Sequence, residues 1–222
     1  MNAIVKEIAV CVERGKVDAK SPHPPDMKGK EGADELTVKA LKFGQSPQTV
    51  LTEGLIAGMA VVGEKFRRNE IYLPDVLMAA RAMTAAMNHI RPYFLSGDVQ
   101  HKGTIVIGTV QGDLHDIGKK IVGMFFEGGG WNVVDLGVDA GAEKYLAAIE
   151  EHNPQAIGLS ALLTTTMVNM EKITRAVKKK YPAVKVLIGG APITEEFKNK
   201  IGADTYSPDP QGALEYLNKT LA

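Results

Sequence analysis

Three short segments of this 222-residue chain carry the residue types with the most chemical capacity. The first is Gly112-Asp113-Leu114-His115-Asp116-Ile117-Gly118; the second opens Ser160-Ala161-Leu162 and runs to Thr166; the third is Gly189-Gly190. An imidazole titrates near neutrality and is the commonest protein ligand to a transition metal. Glycine and serine leave room for a ligand to approach the backbone. Taken singly, each segment has a plainer reading. A lone loop histidine is more often solvated or capping, Asp113 or Asp116 could cap a following helix, and Ser160 and Thr166 could be ordinary loop residues. Gly189-Gly190 could be only a turn. The chemistry becomes specific only if the three segments meet.

The surrounding pattern predicts that they do. Short β-branched apolar runs at 104–110, 131–136, 156–159 and 185–188, with a weaker one at 204–206, alternate with helical windows at 117–127, 141–152, 165–180, 193–200 and 209–220. Strands alternating with helices predict an open α/β fold with a parallel sheet covered on both faces. Such sheets bind ligands beyond the carboxyl ends of their strands, at a switch in strand order. All three segments follow predicted strand ends, so they should share one crevice.

Before residue 96 the period is helical. Leu51, Leu55, Met59, Val62 and Phe66 form one stripe, and Val76, Ala80, Met83, Met87 and Ile90 another, the latter entered through Pro74, a residue tolerated in a first helical turn. Residues 2–14 and 33–43 read as shorter helices, separated by the proline-rich stretch Ser21-Pro22-His23-Pro24-Pro25, which continues to Gly32 as an extended loop of unassigned role. The expected organisation is a four-helix bundle over 1–96, a polar linker over 97–102 and the α/β domain over 103–222.

Composition narrows the function. The 26 basic and 26 acidic residues cancel, which disfavours a nucleic-acid binder. Cys11 is the sole cysteine, which excludes an intrachain disulfide framework, suits a reducing compartment, and reads as a small buried residue. Lys6 and Glu7 interrupt the first apolar stretch, a poor match to a secretory signal. The near-apolar run 54–63 is far short of the roughly 18–20 residues that span a bilayer. The expectation is a cytoplasmic protein with neither nucleic acid nor membrane as partner.

With Asp113-x-His115-x-x-Gly118, then Ser160-x-Leu162, then Gly189-Gly190, the α/β half resembles the B12-binding domain of cobalamin-dependent methyltransferases. Gly58-Met59, Val62-Gly63-Glu64-Lys65-Phe66 and Tyr72-Leu73-Pro74 make the helical half similar to the cap of that family. The whole resembles the free-standing corrinoid proteins of multi-component methyltransferase systems and the cobalamin module of methionine synthase. It departs from them in the length of the stretch around 20–32. The resemblance implies a Rossmann-like, flavodoxin-like domain that binds cobalamin base-off, with His115 as the lower cobalt ligand. A ligating imidazole usually donates its other N–H to a carboxylate, here implied to be Asp113. Thr166 would complete the hydroxyl relay, where the methionine synthase module more typically has serine. Such a relay can take up a proton when cobalt reaches Co(I) and release it on return to Co(III). Gly118, Ser160, Leu162, Gly189 and Gly190 match positions lining the slot for the displaced nucleotide tail. Phe66 and Leu73 match the residues by which the cap covers the corrin, an apolar lid over a reactive centre.

The implied function is a methyl carrier, a subunit and not a complete enzyme, bearing cobalamin as methylcobalamin, Co(I) or hydroxocobalamin. One partner would be a substrate-specific methyltransferase, a second would pass the methyl group to coenzyme M or tetrahydrofolate, and a reductive activator would rescue stray oxidation. Three other readings share parts of the pattern. A metallophosphoesterase also opens with Gly-Asp-x-His, but His23, His89, His101 and His152 are scattered rather than gathered into its further ligand sets. Adenosylcobalamin mutase subunits share the α/β motif but lack this cap. B12-based light sensors carry tryptophan where Phe66 stands and a Glu-His pair where Val76 and Leu77 stand.

Overall fold

The computed structural model describes residues 3–221. Two compact units divide between His101 and Lys102, with Gly128–Gly130 grouped with the first.

In the first unit, α1 (Ala3–Glu13) buries Val5, Ile8, Cys11 and Val12, and α2 (Ala33–Lys42) buries Leu36 and Ala40. A third helical segment starts at Ser46, whose hydroxyl accepts from the Thr49 amide at 3.0 Å. It runs through α3 (Pro47–Thr49), a π-helical stretch Val50–Ile56 and α4 (Ala57–Arg67). The periodicity anticipated one helix here; the structure keeps it continuous but widens its middle turns. Gly58 marks a close crossing, since a Cβ there would lie 2.6 Å from the Ala9 carbonyl oxygen. The last helix, α5 (Leu73–Ser96), buries Val76, Ala79, Met83, Ala86 and Ile90. It continues through Pro92, beyond the end of the sequence stripe, and stops where Gly97 takes φ 83°, a conformation that costs glycine little. Among the described residues, no helix is long and apolar enough to cross a membrane.

The proline-rich stretch is ordered by polar ties. Buried Lys16 reaches the Ser21 carbonyl at 2.9 Å, and Arg14 pairs with Asp26 at 2.8 Å beside a single 3₁₀ turn, Pro25–Met27. Glu35 accepts from the Ala19 and Gly32 amides, each at 2.9 Å. Burial would raise the Glu35 carboxyl, but these amide donors outweigh it and hold the group below its ordinary value.

The second unit is a five-stranded parallel sheet in the order β2-β1-β3-β4-β5. The strands are β1 (Thr104–Thr109), β2 (Asn132–Asp135), β3 (Ala156–Ser160), β4 (Lys185–Gly189) and β5 (Thr205–Tyr206). The connecting helices are α6 (Ile117–Gly128), α7 (Ala142–His152), α8 (Met167–Lys180) and α9 (Glu195–Ile201), with α10 (Pro210–Thr220) closing the chain. This is the flavodoxin-like order, whose reversal falls between β1 and β3. Strand alternation divides the core. Val106, Ile157, Leu159, Val186 and Ile188 pack with α7, α8 and α9 residues such as Tyr145, Met170 and Ile201. Ile105, Ile107, Ala156 and Leu187 pack with Phe126 of α6 and with Ala213, Leu214 and Leu217 of α10. Trp131 lies in this second core, edge-on to Phe126, with its indole N–H on Asn218 at 3.0 Å.

Candidate functional site: the β1–β3 switch point

At the carboxyl ends of β1 and β3 the chain places a half-exposed imidazole on a buried carboxylate. The Asp113 side chain is 0% exposed and that of His115 is 49%. One carboxylate oxygen of Asp113 accepts from the His115 amide at 3.0 Å and sits 2.7 Å from His115 Nδ1. The other accepts from the amides of Leu162 at 2.8 Å and Leu163 at 3.2 Å, and lies 2.8 Å from Thr166 Oγ1. Burial by itself would push the Asp113 carboxyl up. The amides of His115 and Leu162, with the His115 ring and the Thr166 hydroxyl, more than offset it and hold Asp113 well below the usual carboxylate range. An ionised carboxylate can only accept. His115 Nδ1 therefore carries a hydrogen, so in the neutral ring the lone pair that can bind a metal is on Nε2.

The loop bearing this pair is braced on both sides. The Thr109 hydroxyl, fully buried, donates to the His115 carbonyl at 2.8 Å. Asp139 accepts from the Gly112 amide at 2.7 Å. The Asp116 carbonyl accepts from the Lys120 amide at 3.0 Å at the start of α6, and its carboxylate pairs with Lys119 at 2.8 Å and with Lys120, contacts that draw its carboxyl below the ordinary value. Lys119 is buried and also pairs with Asp135 at the end of β2. On either side of His115, Leu114 and Ile117 are 72% and 71% exposed, an apolar shoulder around a polar ring. Leu114, Ile117, Thr109, Lys119 and Asp139 belong to the site without carrying a motif of their own in the sequence. The available signal was two large apolar side chains inside an otherwise polar loop.

The glycines divide into two kinds. A Cβ at Gly118 or Gly189 would meet nothing within 4 Å, whereas one at Gly190, whose φ is 131°, would lie 1.8 Å from the Ala161 carbonyl oxygen. Gly190 is thus required by the packing of its own loop, and only Gly118 and Gly189 leave room. By alternation, Gly158, Ser160 and Gly189 lie on the α6/α10 face of the two central strands, and all three are only half-buried. Central strands covered by helices are normally buried, so the carboxyl end of the α6/α10 face is left partly open at these three positions. Leu162 is exposed beyond β3 and Thr166 is buried at the start of α8. Phe66 lies in α4 and Leu73 opens α5, both in the first unit.

Among the described residues, no three metal-ligating side chains come together. A metal taking a single imidazole must bring its other ligands with it. A cobalt already chelated by a corrin ring meets that requirement, and the exposed apolar shoulder of Leu114 and Ile117 suits a flat macrocycle.

Fold and site together define a flavodoxin-like cofactor-binding domain preceded by a helical unit. Residues 103–215 match the B12-binding domain family, and residues 29–91 match a second family of B12-binding domains. The chain is 40% identical over 195 residues to the trimethylamine corrinoid protein of Methanosarcina barkeri, covering 86% of this chain and 90% of that one. It is 39% identical to a dimethylamine corrinoid protein of Methanosarcina acetivorans, over 87% and 92% of the two chains. Among solved structures, the methanol:cobalamin methyltransferase complex of Methanosarcina barkeri superposes with a TM-score of 0.83 at 28% identity, covering 99% of this chain and 80% of that one. A cobalamin-binding protein of Desulfitobacterium hafniense superposes with a TM-score of 0.73 at 27% identity, over 98% and 96%. The chain belongs to the B12-binding family, among the corrinoid proteins of methyltransferase systems, and its cofactor is a corrinoid.

Proposed function

We propose that this protein is a cytoplasmic methyl carrier that holds cobalamin or a related corrinoid base-off, with His115 Nε2 as the lower axial ligand of cobalt. Residues 1–96 form the cap, 97–102 the linker and 103–222 the corrinoid-binding domain. The observation that carries the reading is the buried, ionised Asp113 fixing a half-exposed His115 at the β1–β3 switch point. The bound corrinoid supplies a cobalt centre that can accept a methyl group and give it up again.

The protein's own residues set the conditions for that exchange. Asp113 fixes the tautomer and aim of His115, and with five hydrogen bonds converging on its two oxygens it cannot swing away. Thr166 Oγ1 lies 2.8 Å from Asp113 and also 2.8 Å from the Leu163 carbonyl. One hydroxyl hydrogen can serve only one acceptor at a time. A proton taken up by the His115–Asp113 pair would lessen the carboxylate's demand for donors and let the Thr166 hydroxyl turn to the Leu163 carbonyl. Gly118, Ser160, Leu162, Gly189 and Gly190 form the slot and its loop, receiving the displaced nucleotide tail between α6 and α10. Phe66 and Leu73 shield the upper face of the corrin from water. They must move aside for a substrate-specific methyltransferase, for a second methyltransferase acting on coenzyme M or tetrahydrofolate, and for a reductive activator. The relatives named for trimethylamine and dimethylamine support a methylated amine as the donor class.

The test is spectroscopic. Protein carrying ¹⁵N-labelled histidine, loaded with cobalamin in the Co(II) state, should show one histidine nitrogen coupled to cobalt. His115→Ala should abolish that coupling; a coupling that survives would refute the assignment.

A further inference from the structure

The first turn of α10 holds a buried side chain that nothing above uses. Gln211 is only 8% exposed. Its amide nitrogen donates to Glu215 at 3.1 Å, while its carbonyl oxygen, Oε1, is buried and has no hydrogen-bond partner. A buried acceptor left without a donor is costly, of order 1–3 kcal/mol, and native proteins seldom tolerate one without a use.

Its position suggests the use. Gln211 stands one helical turn before Leu214 and two before Asn218, on the stripe of α10 that packs against the sheet. The helix runs antiparallel to the strands, so its first turn lies level with their carboxyl ends, on the same face as Ser160 and Gly189. Gln211 therefore stands on the α10 side of the slot proposed for the tail.

We propose that Gln211 Oε1 accepts a hydrogen bond from an O–H or N–H donor on the nucleotide tail of the corrinoid, making it a specificity-determining residue for the tail. This rests on the reading that the tail enters that slot. In cobalamin the dimethylbenzimidazole base has no such donor, so the ribose hydroxyls are the candidates; a cobamide with an adenine base adds an exocyclic amine. The bond to Glu215 engages the amide nitrogen and leaves the oxygen as the group still wanting a partner. The site thus selects for a donor.

Affinities of wild type and Gln211→Met for cobalamin, for an adenine-tailed cobamide and for cobinamide, which lacks the nucleotide, test the proposal. The variant should bind at least one tailed corrinoid about tenfold more weakly and bind cobinamide as wild type does. A loss with cobalamin identifies the ribose as the donor, and a loss confined to the adenine-tailed cobamide identifies the base. An unchanged affinity for both tailed forms, or an equal loss for cobinamide, overturns it. The apo variant should melt no lower than wild type, because methionine removes the unpaired acceptor. Should the variant fail to fold, wild-type protein with ¹³Cδ-labelled glutamine gives the answer. The Gln211 carbonyl signal should move on adding a tailed corrinoid and stay with cobinamide; no difference between the two overturns the proposal. The histidine–cobalt coupling is read on the same samples, so a failed His115 assignment would show separately from a failed tail contact.

Discussion

Asp113 does more at this site than any other single residue, because five donors converge on its two oxygens while its side chain is wholly buried. Asp113→Asn keeps the shape but not the all-acceptor character. We expect corrinoid affinity to fall roughly 10–100-fold, the usual effect of losing a ligand's orienting partner, as measured by spectrophotometric titration. Thr166→Val should cost less, because the same carboxylate oxygen still accepts from the Leu162 and Leu163 amides. The glycines make an equally sharp contrast. Gly190→Ala forces a Cβ against the Ala161 carbonyl at a positive φ and should lower unfolding stability by ~3 kcal/mol or more. Gly118→Ala meets open space in the first turn of α6 and should leave the apo protein unchanged or stabilise it by up to about 1 kcal/mol. Denaturant unfolding of the two variants separates a glycine demanded by the fold from one that leaves room for a ligand.

At the scale of elements, the stretch between α1 and α2 behaves as a strap. Lys16 holds it from one side, while Glu35 holds its two ends at Ala19 and Gly32. The Glu35 carboxyl is depressed in the folded protein. Its stabilisation is therefore fully present above the unfolded value of about 4.3 and disappears as pH falls through the lower folded value. The thermal midpoint of Glu35→Gln should lie below that of wild type at pH 7, and the gap should close on acidification through that window. A gap that persists in acid would mean that packing, not the carboxylate, secures the strap.

For the molecule as a whole, corrinoid binding should appear as stability. A ligand at about 100 times its dissociation constant adds roughly 2.7 kcal/mol to the unit that holds it. Calorimetry of the loaded protein should show the transition of the α/β unit raised by several degrees. Phe66→Ala should leave that gain largely intact and speed photolysis of bound methylcobalamin; an unchanged photolysis rate would place Phe66 in the packing of its own unit only.

Much of this was legible in the residues themselves. Each strand and helix of the α/β unit was visible as a change of period, because the sheet's two covered faces impose uninterrupted apolar runs on its strands. Asp113, His115, Ser160 and Gly189 could be placed at strand ends on the same ground. Other features depend on neighbours remote in the chain, which no local pattern encodes. The π-helical turns at 50–56 arise within a packed bundle, and the strap around Lys16 and Glu35 closes across many intervening positions. Thr166 reaches Asp113 only because β1 and β3 lie side by side. Gly189 and Gly190 read alike in the sequence, yet one opens onto space and the other onto a carbonyl oxygen. Gln211 gave no sequence signal, since an orphaned acceptor exists only once folding has taken the water away. Residue types and their periods determined the fold class and the chemistry on offer; which groups meet, and which are left wanting a partner, was decided by the packing of the sheet and its helices.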